Sequence, residues 1–359
     1  MSSLDCALAT LLDAKEVHPA VRLLLDDAGF QEAVPLGGLG LEEKAKAFAE
    51  LLKMSEVPQV SELVPGWFAD ELFVPAEIGR GEYLVSVTDW LQSRPPTWLR
   101  TSDQLVAEVK QVFEKNQLDV RASDKLPCAL ALNVNFDVSI LPAHLRDSVQ
   151  VQDLASQVIG LLCAPKKGEN WWDMCAGSGG KTIHLADLMS DTGEIFATDI
   201  RKTALYELKR RAKQTRHRSI VPELITEGED PAPDKTFDGI LVDAPCSGSG
   251  TWHRNPDARW RIEEGMIPEF TETQLSLLDM GAAKLRKNGL MIYSVCSVLM
   301  DETEGIKQKF LEKHPEFEAI DLLHPLTGEM VSSVWVEPSQ ADCNGMFAFG
   351  VRRKNASLS

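Results

Sequence analysis

Apolar residues recur at three- and four-residue intervals through LATLLDAKEVHPAVRLLLDDAGF and KAKAFAELLKM, the spacing that lays one stripe along a helix. Residues 1–90 are therefore expected to form a helical region. The prolines of RPPTWLR, residues 94–100, end that pattern, because proline lacks the N–H a helix needs and restricts the residue before it. A mixed segment, residues 91–147, follows: an extended start, a helix in DQLVAEVKQVFEKN, and short apolar runs in CALALNV and DVSIL. That mixture suits a small α+β module.

Past VQVQDLASQVIGLL the period alternates. Strand-like ENWWDMCAG, GEIFATDI, SIVPELITEG, FDGILVDAPC, GLMIYSVCS and NGMFAFGVRR are interleaved with helix-like KTIHLADLMS, RKTALYELKRRAKQ, PEFTETQLSLLDMGAAKLRKNG and DETEGIKQKFLEKHP. This order predicts an α/β domain over 148–355, a doubly wound and mostly parallel sheet with helices on both faces. ILV and LMIY are continuously apolar, as strands covered on both faces are.

Composition narrows the class. A chain of 359 residues with 44% hydrophobic content has room for two or three domains. No uncharged apolar run has the length of a membrane span, and MSSLDCALATLLDAKE lacks the basic start of a secretory signal. A cytoplasmic protein is expected, away from membranes. The seven cysteines show no CxxC pair and no histidine at zinc spacing, so neither a disulfide framework nor a metal is expected. A net charge of −17 argues against a protein that coats nucleic acid without specificity. Positive charge is nevertheless concentrated in residues 201–218 and 253–261. The first cluster reads equally well as the solvated face of a helix.

DMCAGSGGKT, residues 173–182, is a glycine turn between a strand and a helix. Gly180, Lys181 and Thr182 match the end of a phosphate-binding Walker loop, but Cys175 stands where its first glycine belongs; Gly177, Gly179 and Gly180 miss the dinucleotide spacing. In an open α/β sheet ligands collect beyond the carboxyl ends of the strands. Asp199 ends the next strand, where a carboxylate can accept hydrogen bonds from ribose hydroxyls. Turn and acid together describe an adenosine pocket, leaving S-adenosylmethionine, NAD and ATP open. Asp199 has an ordinary alternative as a helix cap.

DAPCSGSG followed by NPDARW, then YSVCS at the next strand end, separates these ligands. With RPPTWLR, VQVQDLASQ, DMCAGSGGKT, TQLSLLDMG and NGMFAF, these motifs resemble the Sun/Nop-type RNA (cytosine-5) methyltransferases over roughly the last three-quarters of the chain. The resemblance implies a Rossmann-like class I methyltransferase sheet, S-adenosylmethionine as cofactor, and RNA (rRNA or tRNA) as partner. It implies Cys296 as nucleophile, Cys246 as the cysteine that helps expel product, and Asp243 as the carboxylate facing the base. Cofactor contacts carry over to Cys175, Ala176, Gly177, Ser178, Gly179, Gly180, Lys181, Asp199, Glu227 and Asp243.

The chemistry explains these residue types. Carbon 5 of cytosine is a poor nucleophile; a thiolate added at carbon 6 converts the ring to an enamine that can attack a methyl donor. A neighbouring acid stabilises the charge that develops on the ring. DNA cytosine-5 methyltransferases use the Pro-Cys cysteine instead, which makes Cys246 the rival nucleophile. The chain departs from the family pattern at Gly177 and Ser178, usually Ala-Pro; at Val295, usually threonine; and across Met300, Asp301, Glu302, Thr303 and Glu304, usually Pro-Glu-Glu-Asn-Glu. Glu227 stands where aspartate is usual.

A stacked cytosine cannot present carbon 6 to a thiol, so the target must be unpaired or flipped. Trp252, His253, Arg254, Arg259 and Trp260 follow Cys246 and offer stacking and phosphate chemistry. Arg94, Trp98 and Arg100 offer a second RNA clamp. Each aromatic here reads equally as packing. The competing function is a non-catalytic RNA-binding or ribosome-assembly factor that retains the cofactor fold; a P-loop NTPase is a distant third. Oligomeric state is not legible.

Overall fold

The computed structural model describes residues 40–51, 56, 57, 59–76, 78–93, 95–133, 137–226, 232 and 234–354. The helical expectation for residues 1–39, together with Arg94 and Glu227, falls outside them. Contacts divide the chain into two compact units, Met1–Arg94 with Trp252–Glu264, and Pro95–Thr251 with Gly265–Ser359.

In the first unit, α1 (Leu41–Leu51) buries Leu41, Ala45 and Ala49, four residues apart on one face. Phe68 is buried on the short α2 (Phe68–Glu71), and Tyr83, Val87 and Leu91 on α3 (Arg80–Leu91). The segment after the Pro-Cys motif joins this unit rather than lining a cleft. Trp252 is fully buried, 5.1 Å from the ring of Phe68 and edge-on to Trp67. His253 packs on Trp90, and the buried Arg259 donates to the carbonyls of Leu63 (2.7 Å) and Leu91 (3.2 Å). A guanidinium that satisfies the carbonyls of two chain segments is a structural tie.

The second unit opens with a small antiparallel sheet: β1 (Thr97–Arg100), α4 (Val106–Lys115), β2 (Val120–Ala122), β3 (Ala129–Leu132) and β4 (Gln150–Val151), in the order β2-β3-β1-β4. DVSIL, expected among the extended runs, forms a 3-10 turn at Val138–Ile140. Asp137 captures the Ser139 N–H at 2.8 Å, a local bond that competes with strand pairing. Trp98 lies in the core with its indole N–H on the Asp342 carbonyl (2.9 Å), and Arg100 is buried against Asp187 (2.7 Å) and Gln152 (2.7 Å). Neither is placed to clamp RNA; the apolar and ionic partners on this unit claim both.

The large sheet follows with α5 (Leu154–Cys163), β5 (Asn170–Asp173), α6 (Gly180–Leu188), β6 (Glu194–Asp199), α7 (Lys202–Gln214), β7 (Ile220–Leu224), β8 (Phe237–Asp243), α8 (Ile267–Lys284), β9 (Leu285–Val295), α9 (Glu304–Lys313), β10 (Phe317–Ile320), the pair β11 (Leu322–Leu323) and β12 (Met330–Val331), β13 (Val334–Val336) and β14 (Met346–Arg353). Strand order is β10-β14-β9-β8-β5-β6-β7, with β7, β6, β5, β8 and β9 parallel. β14 runs antiparallel to β9, and β10 and β13 share its far edge. This is the Rossmann-like arrangement expected, with an antiparallel edge added. The two faces carry separate cores, one around Trp171, Val158 and Ile183, the other around Trp172, Phe237 and Tyr293. No helix among the described residues is long and apolar enough to cross a membrane.

Candidate active site

Strand order reverses between β5 and β8, the point where an open α/β sheet leaves a crevice at its carboxyl edge. A cleft of ≈ 780 Å³ opens there. Cys175, Ala176, Gly177, Ser178, Gly180, Lys181, Asp199, Asp243, Cys246 and Cys296 all line it. Gly179 does not: at φ +86° it makes the turn, and a β-carbon there would lie 2.2 Å from Leu208, so only glycine lets α7 pack this closely.

One end of the cleft is built around Asp199. Asp199 Oδ2 accepts the Gly177 N–H (2.8 Å), and Oδ1 accepts the Arg201 N–H (2.8 Å). The Arg201 guanidinium adds two further bonds at 3.0 Å each. Burial works against the Asp199 charge, but these bonds outweigh it and hold the carboxyl below its ordinary value. Both oxygens are thus engaged, one bond being of the local cap-like kind. The Arg201 side chain is 65% exposed. Ile200, Ile225 and Leu277 supply apolar lining.

Asp173, at the tip of β5, is a site residue that the sequence reading did not select. It is 1% exposed, its Oδ2 accepts from Thr182 (2.7 Å), and its Oδ1 has no hydrogen-bond partner. Burial, reinforced by Asp243 and Asp199 and opposed by the Thr182 bond, pushes its carboxyl up to about 7. An orphaned carboxylate oxygen at the cleft floor is what a cationic group of a ligand would complete.

At the other end β8 and β9 present Asp243, Cys246 and Cys296. Asp243 is fixed by Ser294 Oγ (2.8 Å) on one oxygen and by Lys181 Nζ (2.7 Å) on the other. Burial pulls the lysine down, yet the Asp243 charge and hydrogen bond prevail and leave it raised. Cys246 and Cys296 sit side by side with their sulfurs 3.5 Å apart. The hydrogen bond from Cys246 lowers Cys296 below the usual thiol value against the opposing effect of burial, and the Lys181 charge lowers it further. Cys246 is raised by that same bond, by burial and by the charges of Cys296 and Glu302. The charges of Asp243 and Glu302 raise Cys296 in turn, and the balance leaves it the easier of the two sulfurs to ionise.

The surface expected to grip RNA is reduced. Trp252, His253 and Arg259 are interior residues of the first unit, whereas Arg254 and the 59% exposed Trp260 remain at the surface. Nothing in their sequence distinguishes the buried from the exposed members, because the packing partners Trp67, Phe68 and Trp90 lie far upstream.

The family described as 16S rRNA methyltransferase RsmB/F matches residues 160–351. The ribosomal RNA small subunit methyltransferase B of Yersinia enterocolitica is 29% identical over 277 residues, covering 76% of this chain and 63% of the relative. Its counterpart in Photorhabdus laumondii is 32% identical over 228 residues, covering 62% of this chain and 52% of the relative. The chain thus spans between half and two thirds of the length of these relatives. Two solved structures share the fold: a methyltransferase homolog protein from Pyrococcus horikoshii (TM-score 0.66, 23% identity, 85% of this chain, 98% of that one) and NSun6 from the same organism with SFG (TM-score 0.69, 18% identity, 82% and 100%).

Proposed function

The chain belongs to the 16S rRNA methyltransferase RsmB/F family, and we propose that it methylates carbon 5 of a cytosine in RNA, with small-subunit ribosomal RNA the first substrate to test. The observation that carries the reading is the pair of sulfurs 3.5 Å apart beside the Lys181–Asp243 ion pair, all lining one cleft.

S-adenosylmethionine supplies an electrophilic methyl group. The residues fit it: the turn from Cys175 to Gly180 offers close backbone approach, Asp199 accepts the ribose hydroxyls once the exposed Arg201 swings aside, and the orphaned Asp173 Oδ1 accepts the methionine ammonium. An unpaired or flipped cytosine enters at the sulfur end. Cys296 thiolate adds to carbon 6, forming the sulfur–carbon bond as the ring double bond shifts its electrons toward the base edge. The Lys181 ammonium, held against Asp243, stabilises the negative charge that develops there, while Asp243, fixed also by Ser294, orients the base edge. Carbon 5 then attacks the donor methyl; the new carbon–carbon bond forms as the sulfonium–methyl bond breaks and the neutral thioether leaves. Loss of the carbon 5 proton to solvent restores the double bond and expels Cys296 as a thiolate, which the Cys246 thiol stabilises by donating a hydrogen bond across 3.5 Å.

Incubation of the purified protein with RNA and S-adenosylmethionine carrying a labelled methyl group tests the reading, with nucleoside analysis of the product. Labelled 5-methylcytidine is expected. RNA binding without incorporation would support the non-catalytic assembly factor instead.

A further inference from the structure

The two cysteines stand on separate loops, 50 residues apart in sequence, and something must set their spacing. Glu302 is fully buried beneath both loops. Its Oε1 accepts the Ser247 N–H (2.9 Å) and a Gln274 amide N–H (3.0 Å); its Oε2 accepts the hydroxyls of Ser247 and Ser297, the latter at 2.7 Å. Ser247 directly follows Cys246 and Ser297 directly follows Cys296. A single carboxylate therefore ties the residue after each sulfur to one point. The same Gln274 amide donates to the Pro245 carbonyl (3.0 Å), which fixes the other side of Cys246.

Backbone contacts close the clamp. The Gly250 N–H donates to the Cys296 carbonyl (3.0 Å), and a β-carbon on Gly250 would meet the Gly345 carbonyl oxygen at 2.1 Å. Burying a carboxylate is costly unless its oxygens are well satisfied, and an apolar residue would fill this space at lower cost. Its retention here calls for a reason beyond packing. The Glu302 charge opposes ionisation of both sulfurs, while the Lys181 charge favours the thiolate of Cys296.

We propose that Glu302 is a positioning residue that holds the two sulfurs in register and keeps a negative charge beneath both cysteine loops. The proposal rests on the roles given to these cysteines above. It is tested without RNA, by alkylating the full chain with iodoacetamide across pH and quantifying each cysteine peptide by mass spectrometry. In the wild type Cys296 reacts at lower pH than Cys246. Glu302→Gln keeps the size and removes the charge. Both cysteine profiles are expected to move down, by about one pH unit, a roughly tenfold larger thiolate fraction at a given pH. Glu302→Asp keeps the charge but shortens the reach. Its Cys246 profile stays near the wild type, while methyl transfer slows in kcat more than in KM. Unmoved alkylation profiles in folded Glu302→Gln would overturn the charge role, and full kcat in Glu302→Asp would overturn the clamp. If Glu302→Gln does not fold, a Glu302→Asp protein whose Cys246 profile drops would contradict the proposal equally. Absence of methyl transfer in the wild type would sink the functional reading and leave the alkylation result standing.

Discussion

Asp173→Asn replaces a buried carboxyl by its neutral isostere, and the structure fixes both the sign and the size of the effect. In the folded chain this carboxyl is raised from 3.8 to about 7, first by burial. A raised folded-state value means that the group's contribution to stability is fully present below 3.8 and lost as pH climbs through 7. At about 1.4 kcal/mol per pH unit, the total loss is roughly 4 kcal/mol, of which roughly 3 kcal/mol falls between pH 5 and pH 8. Asparagine does not ionise and can still accept the Thr182 hydroxyl. The variant should match or trail the wild type at pH 5 and overtake it by pH 8, with the difference growing by roughly 3 kcal/mol in denaturant titrations. S-adenosylmethionine should reverse the order at pH 8, because its ammonium compensates a carboxylate and finds no charge on asparagine. Parallel stability curves for the two proteins between pH 5 and pH 8 would refute the reasoning.

Lys181→Met should shift Cys296 alkylation to higher pH, since the ammonium that favours its thiolate is gone, and should reduce methyl transfer by roughly a hundredfold; an unchanged alkylation profile would separate Lys181 from the nucleophile. Gly160→Ala, on α5, should destabilise the protein although alanine favours helix by about 1 kcal/mol, because its β-carbon would lie 2.1 Å from His184 Nδ1 and overpacking costs about 1–3 kcal/mol. A raised Tm would show that His184 yields freely. Trp252→Ala should cost about 3–5 kcal/mol and leave the salt dependence of RNA binding unchanged. Arg254→Glu should instead flatten that dependence by about one phosphate contact; exchange of the two salt responses would reassign the segment.

Periodicity carried most of the large sheet. β5, β6, β8 and β9 carry apolar central runs because helices cover both faces, and each ends at a stretch the sequence singles out. DVSIL was misleading because one aspartate hydrogen bond outweighs the strand preference of its valine and isoleucine. β10 and β13 are short edge strands that pair only through β14, so nothing local marks them. Residue type also overstated the RNA surface: tryptophan and arginine suit a nucleic acid and a core equally, and the partners that decide for Trp252 and Arg259 stand more than a hundred residues away. Asp173 and Glu302 escaped selection for a related reason. Their importance lies in burial and in what meets each oxygen, and the Ser247 partner of Glu302 is 55 residues distant.

RNA containing 5-fluorocytosine cannot lose the proton that releases the enzyme, so the adduct with the attacking sulfur persists and survives denaturing electrophoresis. With wild type, Cys296→Ala and Cys246→Ala compared in the presence of S-adenosylmethionine, the adduct is expected in wild type and Cys246→Ala and absent from Cys296→Ala. An adduct retained by Cys296→Ala and lost from Cys246→Ala would contradict the assignment of the nucleophile, and no adduct in any of the three would contradict covalent catalysis by this cleft.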